Sequence, residues 1–147
     1  MANARRRPDI DQARPRDQRK VRTAAIGFPT RILSALRESR MLGIRAGTEP
    51  HRFTGIWFVL VGARLFVRPW YDKPGGWRKA FSSDPRGTIL VAGREIPVRA
   101  RATRAKRLFD AVDLAYAEKY NTKASLKWVR GFRTLRRRKT TTELQPR

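Results

Sequence analysis

A run of consecutive apolar residues, Ile56-Trp57-Phe58-Val59-Leu60-Val61, is followed directly by Gly62. The run is short, rich in β-branched and aromatic side chains and without alternation, so it reads as a core strand covered on both faces rather than as a helix. Its neighbours read as strands too. Leu42, Ile44 and Ala46 alternate with Gly43 and Arg45, which predicts a first strand with one wet face. Gly62-Ala63 suits a two-residue hairpin loop, since glycine accepts the positive φ at its first central position, and Arg64 to Arg68 then returns as a third strand. Thr88 to Val91 and Glu95 to Arg101 form a second hairpin about Ala92-Gly93. Pro97 has no N–H to donate to a ladder, so that strand is expected at an edge or to be irregular there.

Helical spacing appears only outside this block or between its hairpins. Thr30, after Pro29, is expected to cap a helix that places Ile32, Leu33 and Leu36 on one face. A short helix over Trp77 to Ser83 is bounded by Gly75-Gly76 and by Asp84-Pro85, because the residue before a proline avoids the helical region. Thr103 is expected to cap a longer helix to about Tyr120, with Leu108, Phe109, Val112, Tyr116 and Tyr120 at helical spacing. A third helix runs from about Ala124 to Thr134, weakened near its end by Gly131. Thr140 to Leu144 has the β-propensity to return to the sheet as a last strand. The strand–helix alternation of a parallel sheet is absent. The order predicts a mainly β, α+β chain: a small antiparallel barrel dressed by helices.

Charge is what sets the composition apart. The 147 residues carry 35 Lys and Arg against 12 Asp and Glu, a formal +23, a field that attracts polyanions and phosphorylated ligands. Residues 1–24 hold +5 and residues 126–147 hold +7, so both ends are basic on a body that is itself basic. Residues 1–24 contain almost no large apolar side chains and read as a disordered basic arm. Residues 25–147 read as one domain with a basic C-terminal segment. With no cysteine there is no disulfide, thiolate metal site or cysteine nucleophile. No apolar run approaches the ~20 residues of a membrane span, and the expected location is the cytoplasm.

With one histidine, most side-chain catalysis lacks its parts. His51 alone cannot hold zinc, no serine sits in a nucleophile elbow, and His51 reads as a surface loop residue. No metal site and no catalytic residue can be assigned. If the chain is an enzyme, a cofactor carries the chemistry and the protein supplies position and charge. The cluster Arg68 to Lys79 suits one: Gly75-Gly76 admit close approach to a phosphate, Arg78 and Lys79 supply charge, and Trp70, Tyr71 and Trp77 offer faces for a flat ring. The same aromatics read equally well as core, and the same charges as a solvated face.

Several short motifs, in their order, resemble a known family. They are Ile44-Arg45 ahead of a proline-containing loop, Ile56-Trp57-Phe58-Val59-Leu60, Phe66-Val67-Arg68, Gly76-Trp77-Arg78, Gly93-Arg94-Glu95-Ile96-Pro97-Val98 and Val112-Asp113-Leu114-Ala115-Tyr116 with Lys119-Tyr120. Together, over about residues 29–146, they look like a small family of uncharacterised bacterial proteins. That family is placed in the flavin- and deazaflavin-binding split β-barrel superfamily, with pyridoxamine-phosphate oxidase and the deazaflavin-dependent nitroreductases as its known relatives. The resemblance implies a six-stranded antiparallel split barrel with about three flanking helices, commonly a homodimer, holding FMN or a deazaflavin coenzyme across the dimer groove. It also implies that Arg45 and the Arg78-Lys79 pair hold the cofactor phosphate, with Thr48 as a hydroxyl donor. Ala46 departs from the pattern where a threonine is expected, Pro69 where a serine is, and Gly75-Gly76 where one glycine and a polar residue are usual.

Two functions follow. The first is a flavin or deazaflavin binder, an oxidoreductase for a small substrate, using Arg45, Thr48, Arg68, Tyr71, Trp77, Arg78 and Lys79. The second is a nucleic-acid-associated protein whose basic arms contact phosphates without reading sequence.

Overall fold

The computed structural model describes residues 27–147; the arm expected over residues 1–24 lies outside them. The chain runs α1 (Thr30–Glu38), β1 (Met41–Ala46), β2 (Thr54–Trp57), β3 (Val59–Val61), β4 (Arg64–Val67), α2 (Trp77–Ser83), β5 (Arg86–Val91), β6 (Arg94–Ala102), α3 (Lys106–Lys119), a 3-10 turn (Lys123–Ser125), α4 (Leu126–Phe132), α5 (Leu135–Arg138) and β7 (Thr142–Pro146). The strands form one sheet in the order β2-β1-β5-β6-β7-β4-β3, every pair antiparallel.

The two outermost strands of that order, β2 and β3, are consecutive in the chain. Only Phe58 separates Trp57 from Val59, so the sheet curls until its edges meet in a nearly closed barrel. Six strands were expected and seven are present, because the single run over Ile56–Val61 is broken at Phe58. The break has its own polar partners. The Phe58 N–H donates to the Tyr120 hydroxyl at 3.1 Å, and its carbonyl accepts from Lys119 Nζ at 3.1 Å. Tyr120 stacks flat on Trp57, ring centroids 3.9 Å apart. These contacts satisfy backbone groups that have left one ladder and not yet joined the other.

Two apolar clusters hold the barrel. The inner one gathers Leu42, Ile44, Phe58, Leu65, Val67, Ile89, Val98 and Leu144 from the strands, with Ile32 and Leu36 of α1 and Phe81 of α2. The outer one packs Val59 and Phe66 against Val112, Tyr116 and Tyr120 of α3 and Val129 and Phe132 of α4. Alternation along β4 therefore sends Leu65 and Val67 inward and Phe66 outward, all fully buried, each such side chain contributing about 1.5–3 kcal/mol.

Four local expectations change. Pro97 lies in an interior strand, since β6 pairs with both β5 and β7. It is tolerated because its carbonyl, and so its ring nitrogen, faces the side on which β7 has run out: the partner there is the Arg147 N–H at 3.1 Å. Thr103 caps nothing; its N–H bonds the Thr141 carbonyl and prolongs the sheet, so α3 begins at Lys106. Thr30 is the first residue of α1, which follows Pro29 without a side-chain cap. The third expected helix divides into the 3-10 turn and α4, and the charge run after it forms α5.

Candidate functional site

The largest cavity described among residues 27–147, of about 800 Å³, opens between the β1/β2 edge of the barrel and α2. Its floor is Ile44, Arg45 and Ala46 of β1 with Thr54, Gly55 and Ile56 of β2; its far wall is the Pro69–Gly76 segment and Trp77, Arg78 and Ala80. Local chemistry explains why these walls stand where they do. Asp72 accepts two hydrogen bonds from Arg78, at 2.7 and 2.8 Å, which clamps the segment onto the first turn of α2. The Arg45 guanidinium lies 4.4 Å from the centre of the Phe53 ring, donates to the His51 carbonyl at 3.3 Å and reaches the exposed Glu95 at 3.4 Å. Its Nε is buried and has no hydrogen-bond partner.

Two smaller cavities adjoin the first. One, of about 360 Å³, is mostly apolar and is lined by Met41, Trp57, Trp70, Trp128 and Phe132, with Arg68 also on its wall. The other, of about 440 Å³, lies against Lys73, Lys79, Arg136 and Arg137. Tyr71 borders all three and is 76% exposed, so its ring is free to cover a ligand.

Of the residues expected at a cofactor site, Arg45, Tyr71, Trp77 and Arg78 line the largest cavity. Lys79 faces the basic one instead, and Thr48 is exposed and borders neither. Arg68 is a different case. Its side chain is fully buried, donating to Thr141 Oγ1 at 2.7 Å, Asp113 Oδ1 at 2.5 Å, the Phe132 carbonyl at 2.9 Å and the Phe109 carbonyl at 3.1 Å. With its donors so occupied, Arg68 ties β4 to α3, α4 and the approach to β7.

Residues 32–144 match the bacterial family described as uncharacterized protein conserved in bacteria, DUF2255. The chain belongs to that family. Among solved structures it is similar to a putative pyridoxamine 5'-phosphate oxidase from Listeria innocua, with TM-score 0.53 and 12% identity over 80% of this chain and 90% of that one. It is also similar to the conserved hypothetical protein Rv2991 from Mycobacterium tuberculosis, with TM-score 0.52 and 15% identity over 82% of this chain and 81% of that one. At these identities the likeness is one of fold, and it agrees with the split barrel that the motifs implied. No curated protein matches the chain.

This DUF2255 chain also uses residues that its sequence did not mark. His51 is the exposed loop residue that was expected, and it also lines the cavity, its ring Nε2 donating to the Ala46 carbonyl at 3.0 Å. The Gly47 turn, at φ +85, folds the loop back onto β1 and brings it there. Gly131 is the floor under Trp70: a Cβ at that position would stand 2.2 Å from the indole. Trp70 in turn carries Arg137, whose guanidinium lies 3.7 Å above the ring centre. Neither contact could be read from spacing, since the partners lie on different elements.

Proposed function

We propose that the groove binds a flavin or deazaflavin coenzyme and that the protein is an oxidoreductase acting on a small substrate. The observation that carries this reading is the composition of the groove walls: Arg45, whose Nε has no hydrogen-bond partner, lines one space of about 800 Å³ together with Tyr71 and Trp77. That volume lies within the range of ligand pockets, and the parts suit a flat ring bearing a phosphate. Arg45 and Arg78 would hold the phosphate and Tyr71 and Trp77 the ring. Such a coenzyme supplies hydride transfer; the chain's own residues supply position, charge and shelter from water. The adjoining, mostly apolar cavity, walled by Trp57, Trp70, Trp128 and Phe132, offers a place for an uncharged substrate beside the ring. The fold shared with a putative pyridoxamine 5'-phosphate oxidase supports the proposal. We place the protein in the cytoplasm as a homodimer that completes the groove; among the described residues no helix is long and apolar enough to cross a membrane.

Titration of the purified protein with FMN and with deazaflavin coenzyme, followed by absorbance and by quenching of flavin fluorescence, tests the reading. Saturable binding that weakens about tenfold in Arg45→Ala is expected, the scale of one charge-assisted contact. Absence of binding to either compound, or full affinity in Arg45→Ala, overturns it. The net charge of +23 favours a second reading, sequence-independent contact with nucleic-acid phosphates. Its mark is an affinity for single strands that falls steeply with salt and is indifferent to Arg45.

A further inference from the structure

The basic cavity beyond Tyr71 has a construction of its own. Arg137 is its fixed member: besides lying on Trp70, its Nε donates to the Trp70 carbonyl at 3.0 Å and its Nη1 to the Gly131 carbonyl at 3.3 Å. These contacts aim a planar fork of donors without neutralising it. Lys79 from α2, Lys73 from the preceding segment and Arg136 from α5 line the same space, with the Thr140 backbone turn closing it. Among the described residues, no carboxylate lies within ion-pair distance of Lys73, Lys79, Arg136 or Arg137. Asp72, the one carboxylate on the wall, already gives both oxygens to Arg78. Burial, and then the neighbouring Arg136, hold the Arg137 pKa below its ordinary value. Gathering like charges around a positioned guanidinium is unfavourable unless an anion is shared among them.

We infer that this cavity is a binding site for a phosphate group carried by a small molecule, with Arg137 as the oriented fork and Lys73, Lys79 and Arg136 as the charges that close on it. A phosphate presents acceptor oxygens in several directions, which suits donors arriving from three separate elements. A planar carboxylate would use the fork and leave the lysines unserved. The inference does not depend on what the groove binds. The phosphate belongs either to the groove's own ligand, which then reaches past Tyr71 and takes Arg137 in place of Arg45 and Arg78 as its phosphate partner, or to a separate phosphorylated compound.

The test is calorimetric titration of the full chain with inorganic phosphate at low ionic strength. Compared are the unaltered protein, the double variant Lys79→Ala/Arg136→Ala, and a control of equal charge, Arg31→Ala/Arg37→Ala on the exposed face of α1. All four substituted residues are exposed, so folding is retained, as circular dichroism will verify. Phosphate affinity should fall roughly tenfold in the first variant, the summed effect of two partly screened charges, and stay within about twofold in the control. Equal losses in both, no phosphate binding, or binding shown only by a single-stranded oligonucleotide would overturn the inference. Competition then separates the sources. Displacement of phosphate by FMN but not by riboflavin assigns the site to the groove's ligand; independent binding assigns it to a second compound. Should the protein bind no flavin and still lose phosphate through Lys79 and Arg136, the cofactor reading falls and this one stands.

Discussion

Gly131→Ala sets two known effects against each other, and the structure decides the sign. Within α4, alanine is favoured over glycine by about 1 kcal/mol on helix propensity alone. The new Cβ, however, would stand 2.2 and 2.5 Å from two carbons of the Trp70 ring, where real contacts are near 4 Å. The indole has nowhere to go: Trp128 lies 4.8 Å away edge-on, Phe132 5.3 Å, and Arg137 covers a face at 3.7 Å. Forcing an extra methyl into such packing costs about 1–3 kcal/mol, and loosening the stacked guanidinium costs about another 0.5–2 kcal/mol. The expected net is a destabilisation of about 1–3 kcal/mol. Urea unfolding followed by tryptophan fluorescence and by circular dichroism measures it, and Gly131→Ala/Trp70→Leu should recover most of the loss. A Gly131→Ala protein that is more stable by about 1 kcal/mol, as propensity alone dictates, would refute the packing described for Trp70 and Arg137.

Further predictions concern buried polar groups. Arg68→Met should cost about 3–5 kcal/mol, since it removes in one step the donor to Asp113, Thr141 and two carbonyls, leaving Arg138 near Asp113 at 3.1 Å and the Thr141 hydroxyl only its bond to the Arg138 carbonyl; a loss under about 1 kcal/mol in chemical denaturation contradicts it. Two tyrosines on α3 should behave oppositely: Tyr120→Phe strands the Phe58 N–H and costs about 1–3 kcal/mol, whereas Tyr116→Phe removes a buried hydroxyl without a partner and is neutral or stabilising. Lys119 gives a pH signature. Burial, and then Arg40, lower its pKa to about 8 from 10.5, so the unfolded chain binds more protons between those values and stability rises with pH across that window. The difference in stability between the unaltered protein and Lys119→Met should therefore change between about pH 8 and pH 10.5; a constant difference refutes the assignment.

What could be read beforehand was mostly local. α2 begins and ends where Gly75-Gly76 and Asp84-Pro85 said it would, because its boundaries are set by residues adjacent in the chain. The Gly62 and Ala92-Gly93 turns stand where expected, with positive φ at Gly62, Ala92 and Gly93. The break at Phe58 was invisible, since an unbroken apolar run hides a change of partner that Tyr120, 62 residues away, makes feasible. The same distance effect separates the candidate site into its parts. Tyr71, Trp77 and Arg78 were recognisable from their chemistry and Arg45 from the resemblance, and the fold brings the four to one groove. Arg68 has the same chemistry, but Asp113 and Thr141 claim it from across the molecule. No feature of the sequence near Arg68 distinguishes a guanidinium that holds a ligand from one that holds the protein together.

The position of Phe58 has a consequence for how this molecule fails. Because β2 and β3 lie on either side of it, the two margins of the sheet are guarded by one residue, and a strain that frees Phe58 uncovers both rows of unpaired N–H and C=O groups together. Each row is a template onto which another chain can add a strand, so the opened species can grow in two directions rather than one. Heat should therefore bring fibrous or amorphous precipitation at the same temperature at which the amide proton of Phe58 loses its protection. Variants that loosen Tyr120 or Lys119 should come out of solution well before their barrel interior melts.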